Sequence, residues 1–147
     1  MKTSPRGIGF IKAVEGFRAE VYRDAAGKET IGVGHLVKSG ERFDAPITED
    51  EADVILARDL EEAEAGVERL INVPLTQGQF DALVSFVFNL GAERLRASVV
   101  LRFINEQRHL FVPAELLRWI HAGGRALKGL ALRRLGEATM YLEGTKE

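Results

Sequence analysis

Apolar residues recur at helical spacing through most of the chain, and the places where they do not mark changes of element. Ser4 followed by Pro5 reads as an N-cap and first helical position, so a short helix is predicted to run to Glu15, with Gly16 as its stop. Between Glu20 and Leu36 the pattern changes to Val21, Tyr22, Thr30, Ile31 and Val33 around the turn sequence "DAAGKE". That predicts a small antiparallel ribbon, followed by loop from Lys38 to Pro46. At Thr48 the sequence "TEDE" is a capping box, in which Thr48 caps and Glu51 sits three residues on. Ala52, Ile55, Leu56, Leu60, Ala63, Val67, Leu70 and Ile71 then keep helical spacing, predicting a helix from about Glu49 to Ile71. The acidic run Glu61, Glu62, Glu64 falls to its solvent face.

A second box, Thr76 with Gln79, opens "FDALVSFVFNLG", which is apolar almost all round from Phe80 to Leu90 and ends at Gly91. A helix of that kind is buried on every side. Shorter helices are predicted at Glu93–Arg96, at Val99–Glu106 after Ser98, and at Pro113–His121. "AGGRALKG" reads as loop, and a terminal helix covers about Leu130 to Leu142. The fold class is therefore α+β, mostly α, in one domain spanning 1–147. A β-containing lobe (about 15–47) is joined by a long helix (about 49–71) to a helical lobe (about 72–147) packed with the N-terminal helix.

Composition narrows the function. At 46% hydrophobic and 29% charged, the chain has the make-up of an ordinary globular protein. No apolar run approaches the roughly 18 residues that suggest a membrane span, so no membrane insertion is expected. The first residues lack the unbroken apolar stretch of a secretory signal. The absence of cysteine removes thiolate chemistry and disulfides. The net charge is −2, with the first half acidic and the second basic. A nucleic-acid binder would carry a stronger basic stripe, so no nucleic-acid partner is expected.

The ribbon carries the candidate chemistry. Glu15 closes the first helix, where the helix dipole and partial burial near Phe10, Ile11 and Phe17 both favour a protonated carboxyl, as a general acid requires. Position alone leaves open the alternative of an exposed glutamate. Asp24 opens the turn, a role aspartate fills by bonding its own backbone. Thr30 begins the returning strand, so the hairpin can bring it near Asp24. Alternation along one strand would put Thr30, Gly32, Gly34 and Leu36 on one face and Ile31, Val33 and His35 on the other. Glycines beside a hydroxyl leave room for an extended ligand. Two carboxyl groups in different environments, with room for a water between them, meet the needs of inverting glycoside hydrolysis.

At these residues the chain resembles the bacteriophage lysozymes, or endolysins, of the muramidase type (glycoside hydrolase family 24). The pattern is Glu15, eight residues, Asp24, five residues, Thr30, then "IGVGH". The likeness continues through "LTQGQFDALVSFVFNLG" and "ELLRWIHAGG" to "KGLALRR", with Glu137 three residues on. The resemblance implies a lysozyme-like fold and cleavage of the β-1,4 bond between N-acetylmuramic acid and N-acetylglucosamine in peptidoglycan. It implies that Glu15 is the general acid, that Asp24 and Thr30 place water, and that Leu36 and Phe88 meet the sugar chain, joining Gly32 and Gly34 of the glycine face. For Phe88, core packing is the competing role. No cofactor and no metal are implied, and no metal-ligand or phosphate-loop motif stands in the sequence. The partner is the peptidoglycan glycan strand, met by a monomer held in the host cytoplasm until a holin-type partner releases it to the wall.

His35 faces away from Thr30 and is expected to pair with Asp59 on the long helix, a structural role that would raise its pKa. His109 and His121 read as surface or loop residues. Val99, Ile120–His121, Lys128 and Gly136 depart from the family's pattern, and Gly136 inside the terminal helix should cost roughly 1 kcal/mol against alanine. Arg133 and Arg134 read equally as cleft charges or as solvated helix residues. The competing functions are a lytic transglycosylase, which cuts the same bond without water, and a catalytically silent wall-binding module; neither needs the complete Glu15–Asp24–Thr30 set.

Overall fold

The computed structural model describes residues 1–147. Helix α1 (Pro5–Glu15) starts where Ser4 Oγ accepts from the Gly7 N–H at 3.2 Å and stops at Gly16, whose φ of 70° is open to glycine at little cost. Three strands follow, β1 (Arg18–Arg23), β2 (Glu29–Gly32) and β3 (His35–Leu36), paired antiparallel in the order β1-β2-β3. Helix α2 (Glu49–Leu70) opens on the Thr48–Glu51 capping box, and α3 (Gln77–Leu90) on that of Thr76 and Gln79. Reciprocal side-chain caps satisfy amide groups that would otherwise lack partners, which is why these starts lie where the sequence puts them.

Beyond α3 the chain differs more from expectation. Helices α4 (Ala92–Arg96) and α5 (Val99–Asn105) are close to the predicted segments. The helix predicted over Pro113–His121 is instead a 3₁₀ turn at His109–Phe111 running into α6 (Val112–Leu116). Part of the predicted loop is a two-residue hairpin, β4 (His121–Ala122) against β5 (Arg125–Ala126). Gly123 and Gly124 have φ of 58° and 76°, the paired positive values of the tightest hairpin turn, and this dictates the strands on either side. Helix α7 (Lys128–Thr145) begins two residues early and runs three residues past the predicted end.

Helix α2 connects the two ends of the molecule. Its first half packs against the sheet, where Ala52 lies beneath Gly32. Its second half meets α3 and α4, with Gly66 against Ala92 and Val87. One cluster of 23 buried apolar residues runs from Ile31 and Val33 of the sheet through Leu56, Leu60 and Val67 of α2 to Phe80, Leu83, Phe86 and Tyr141. Every residue from Gln79 to Val87 on α3 is buried, in accord with its all-round apolar pattern. The acidic run on α2 divides: Glu61 and Glu62 are exposed, but Glu64 is buried and accepts from the Thr3 N–H at 2.9 Å and the Thr3 hydroxyl at 2.7 Å. No helix is long and apolar enough to cross a membrane.

Helices α3 and α7 cross closely at glycine. A Cβ on Gly78 would lie 2.8 Å from the Met140 carbonyl oxygen, and one on Gly144 would lie 2.9 Å from the Gln79 nitrogen. Both obstructions are backbone and cannot rotate away. Gly136, which looked costly from sequence, has a similar reason, since a Cβ there would come within 2.7 Å of the Phe10 ring on α1. Substituting Gly78→Ala is therefore expected to destabilise the fold by about 1–3 kcal/mol through overpacking, despite alanine's better helix propensity. Urea unfolding of the two proteins measures this; equal or greater stability for the variant would show that the crossing is looser than described.

Candidate active site

Glu15 is set in place by both ends of α1. At the start, Asp81 of α3 accepts from the Ser4 N–H at 3.0 Å and from the Ser4 hydroxyl, so the cap is fixed to the core helix. Gly7 makes this approach possible, because a Cβ there would stand 2.7 Å from Asp81 Cγ. At the end, Arg133 of α7 donates from Nη1 to Glu15 Oε1. The Glu15 side chain is only 17% exposed and Arg133 is 5% exposed, so water screens this pair weakly. To the helix terminus and burial, which the sequence already implies, the structure adds a guanidinium counter-charge.

The β2–β3 connection closes around the same carboxylate. Gly32 and Gly34 have φ of 66° and 64°, and the chain reverses through Val33 and Gly34 to pair Ile31 with His35 and Thr30 with Leu36. The single alternating strand expected over Thr30–Leu36 therefore does not exist. A side chain at Gly34 would put its Cβ 2.6 Å from Glu15 Cδ, so the missing Cβ is the space the carboxyl group occupies. Gly32 does not share this environment: it is buried over Ile47 and Ala52, each 3.4 Å from where its Cβ would be, which places it away from the predicted ligand face.

From Gly34 a cleft of about 370 Å³ extends between the sheet and the helices. Leu36, Phe88, Ala63 and Gly66 give it apolar walls; His35, Asp59, Lys38 and Arg69 give it polar ones. Leu36 is 47% exposed, while Phe88 at the end of α3 is half-buried and packs partly on the core. Asp24 follows the end of β1, and Thr30 lies in β2, paired with Leu36 of the cleft wall. Asp24 Oδ1 accepts from the Ala26 and Lys28 N–H groups at 2.9 and 2.8 Å, so the turn-opening role holds. Thr30 is buried and its hydroxyl donates to the Lys28 carbonyl at 2.9 Å. Tyr22 of β1 pairs with Thr30. Burial raises its pKa, the negative charges of Glu15 and Asp24 add to this, and Arg18, stacked 4.4 Å from the ring centre, opposes it.

A family model described as phage lysozyme matches residues 12–137. The chain belongs to the phage lysozyme family. The endolysin of Bacillus phage B103 is 37% identical over 146 residues, 98% of this chain and 55% of that protein. The chain thus spans little more than half the length of such curated relatives. Among solved structures, an endolysin from Escherichia coli O157:H7 phage FAHEc1 is 34% identical with a TM-score of 0.88, covering 97% of this chain and 94% of that one. The muramidase domain of SpmX from Asticaccaulis excentricus is 37% identical with a TM-score of 0.85, covering 96% and 97%. The mostly helical α+β class read from the sequence is the class of these structures.

Several features of this phage lysozyme fold go beyond what the sequence shows. Of the two readings open for Arg133 and Arg134, solvated helix residues are excluded, because both are buried; Tyr22 feels the charge of both Glu15 and Asp24. The "RRLGE" spacing carried a signal, since Arg133 and Glu137 are four apart and Arg134 and Glu137 three apart, but it does not say which face is buried. His109 is half-buried, with Nδ1 2.8 Å from the Tyr141 hydroxyl, whereas His121 is exposed as expected.

His35 is 5% exposed, with Nδ1 2.7 Å from Asp59 Oδ2 and Nε2 2.9 Å from Glu41 Oε1. Asp59 was expected; Glu41, from the loop before α2, was not. Burial pulls the imidazole pKa down, but hydrogen bonds and charge from Glu41 and Asp59 outweigh it, and the net shift is upward. A raised folded value means the stabilisation is fully present below the ordinary imidazole pKa of about 6.5 and fades as pH rises through the folded value. Glu41 complements this. Burial raises its carboxyl, yet the Lys38 N–H and His35 pull it below the usual range, so its share is lost only as pH falls through that lowered value. Stability should therefore decline on the alkaline side of 6.5 in the parent, and Asp59→Asn should flatten that decline. Denaturant titrations from pH 5 to 9 measure it; identical slopes for the two proteins would show that the pair contributes nothing.

Proposed function

We propose that this chain hydrolyses the β-1,4 bond between N-acetylmuramic acid and N-acetylglucosamine in peptidoglycan, with inversion at the sugar carbon. The observation that carries this reading is the placing of Glu15: a mostly buried carboxyl group, held by Arg133 and seated against Gly34, a residue of the cleft wall. In this account the protonated Glu15 donates to the glycosidic oxygen as the bond to the sugar carbon breaks. Leu36 and Phe88 offer apolar surface to the sugar rings, and the Gly34 backbone allows close approach.

Asp24 and Thr30 supply the other half-reaction. Both hydrogen bonds to Asp24 fall on Oδ1, which leaves Oδ2 to accept a proton from water. The Thr30 proton is committed to the Lys28 carbonyl, so towards a water its hydroxyl can only accept. Two acceptors on one water point its lone pair outward, as attack on the face opposite the leaving group requires. Gly32 serves this site indirectly, through the turn that it lets the chain make.

Purified peptidoglycan treated with the parent should release ordinary reducing sugars whose newly formed anomer is α, the inverted form. Glu15→Gln should lower the rate by roughly 10²–10⁴-fold, the range general acid catalysis contributes. Anhydro-sugar products would instead identify a lytic transglycosylase. Wall binding without cleavage by the parent, or full activity in Glu15→Gln, would reject the proposed chemistry.

A further inference from the structure

Behind Glu15 lies a cluster of buried charge that the proposed reaction does not use. Arg133, Arg134 and Glu137 sit on one turn of α7 and are 4%, 0% and 0% exposed. The Arg133 guanidinium is shared three ways: Nη1 donates to Glu15 Oε1, Nε to Glu137 Oε2 at 3.4 Å, and Nη2 to the Ser85 carbonyl at 3.1 Å. Ser85 Oγ donates to the same Glu137 oxygen at 2.6 Å. Arg134 Nη1 stands 3.0 Å from Glu137 Oε1, its Nη2 donates to Asn89 Oδ1, and its guanidinium lies 5.1 Å from the Phe86 ring centre. The cluster thus holds two cations against two carboxylates, with Tyr22 of β1 feeling the Glu15 charge and the neutral Ser85 and Asn89 facing from α3.

Its geometry is poor for a structural device. Arg134 Nε and Nη1 and Glu137 Oε1 are buried without an aligned hydrogen bond. Apolar residues of similar volume often replace such groups at no loss of stability. Burial lowers the Arg134 pKa to about 10. It raises that of the Glu137 carboxyl, against the pull of Arg134, Arg133 and Ser85. A buried cluster that leaves polar atoms unpaired calls for a role beyond packing.

We infer that Glu137 is a positioning residue that sets the charge Glu15 experiences: by neutralising one of the two arginines, it leaves Glu15 facing the equivalent of a single cation and able to hold the proton it donates. This rests on the proposed role of Glu15 as general acid. Without Glu137, two guanidinium groups would act on one carboxylate and favour its ionised form. Charge acts between Arg134 and Glu15, and a nearby opposite charge favours the ionised form of a carboxyl group. A pKa lower by about one unit leaves about tenfold less protonated acid above the midpoint.

The test compares the pH dependence of kcat/KM on purified peptidoglycan for the parent, Glu137→Gln, Arg134→Gln and the double variant, with ¹³C titration of the Glu15 carboxyl in each. Glu137→Gln should move the alkaline limb and the Glu15 titration down by about one unit or more. Arg134→Gln should move both upward, and the double variant, in which charge balance returns, should lie close to the parent. A Glu137→Gln protein that loses stability or kcat but keeps the parent's limb and Glu15 titration would overturn the inference. A double variant as shifted as the single would do the same. If Glu137→Gln fails to fold, Arg134→Gln decides alone, an unmoved limb and titration being the contrary result. Should Glu15→Gln retain full activity, the proposed chemistry fails instead, while the Glu15 titration still reports whether Glu137 acts on it.

Discussion

Arg133 reaching Glu15 across 118 residues of sequence is the contact on which the site depends. It fixes the last turn of α1 to α7, and the rest of the surroundings can be understood from the need to hold that pair in place. The other end of α1 is held by Asp81 on α3, and α3 is itself pressed against α7 through Gly78 and Gly144. Three helices therefore brace one carboxyl group. The sheet completes the enclosure by leaving out a side chain at Gly34, so the acid stands where backbone can approach but bulk cannot.

Helix α2 links this arrangement to the sheet. Asp59 and Glu41 grip His35 from two sides, one from the helix and one from the preceding loop, next to the Gly34 turn. The same turn thus faces Glu15 on one side and begins the cleft on the other. A charge held in the His35 cluster acts on the position of the cleft wall, whereas charge held in the Glu137 cluster acts on the acid itself. The two devices are separate in space and have different pH signatures.

What the sequence revealed follows from the range of the interactions. The caps at Ser4, Thr48 and Thr76 are contacts between residues three apart, and the helices they open begin where the local pattern places them. The buried helix from Gln77 to Leu90 was legible because its apolar residues surround it. The site was legible only in part. Glu15 and the His35–Asp59 pair could be named, but the face shared by Thr30, Gly32, Gly34 and Leu36 could not, because two positive-φ glycines break the alternation. Helix α7 was the least legible: it exposes Leu132 and Leu135 at 59% and 54% while burying Arg133 and Arg134. Glu137 lies on the same helix, but Glu15, the other carboxylate that Arg133 meets, is 118 residues away and is brought there only by the tertiary structure.

The most direct test of this account is a double-mutant cycle on stability with Glu15→Gln, Arg133→Gln and both together, measured by denaturant unfolding at neutral pH. Removing one partner of a buried ion pair leaves the other uncompensated, so either single variant should be strongly destabilised. The double variant should then recover part of that loss, giving a coupling of about 1–3 kcal/mol. Single effects that simply add, within about 0.5 kcal/mol, would mean that Arg133 does not hold Glu15, and the site described around that pair would have to be abandoned.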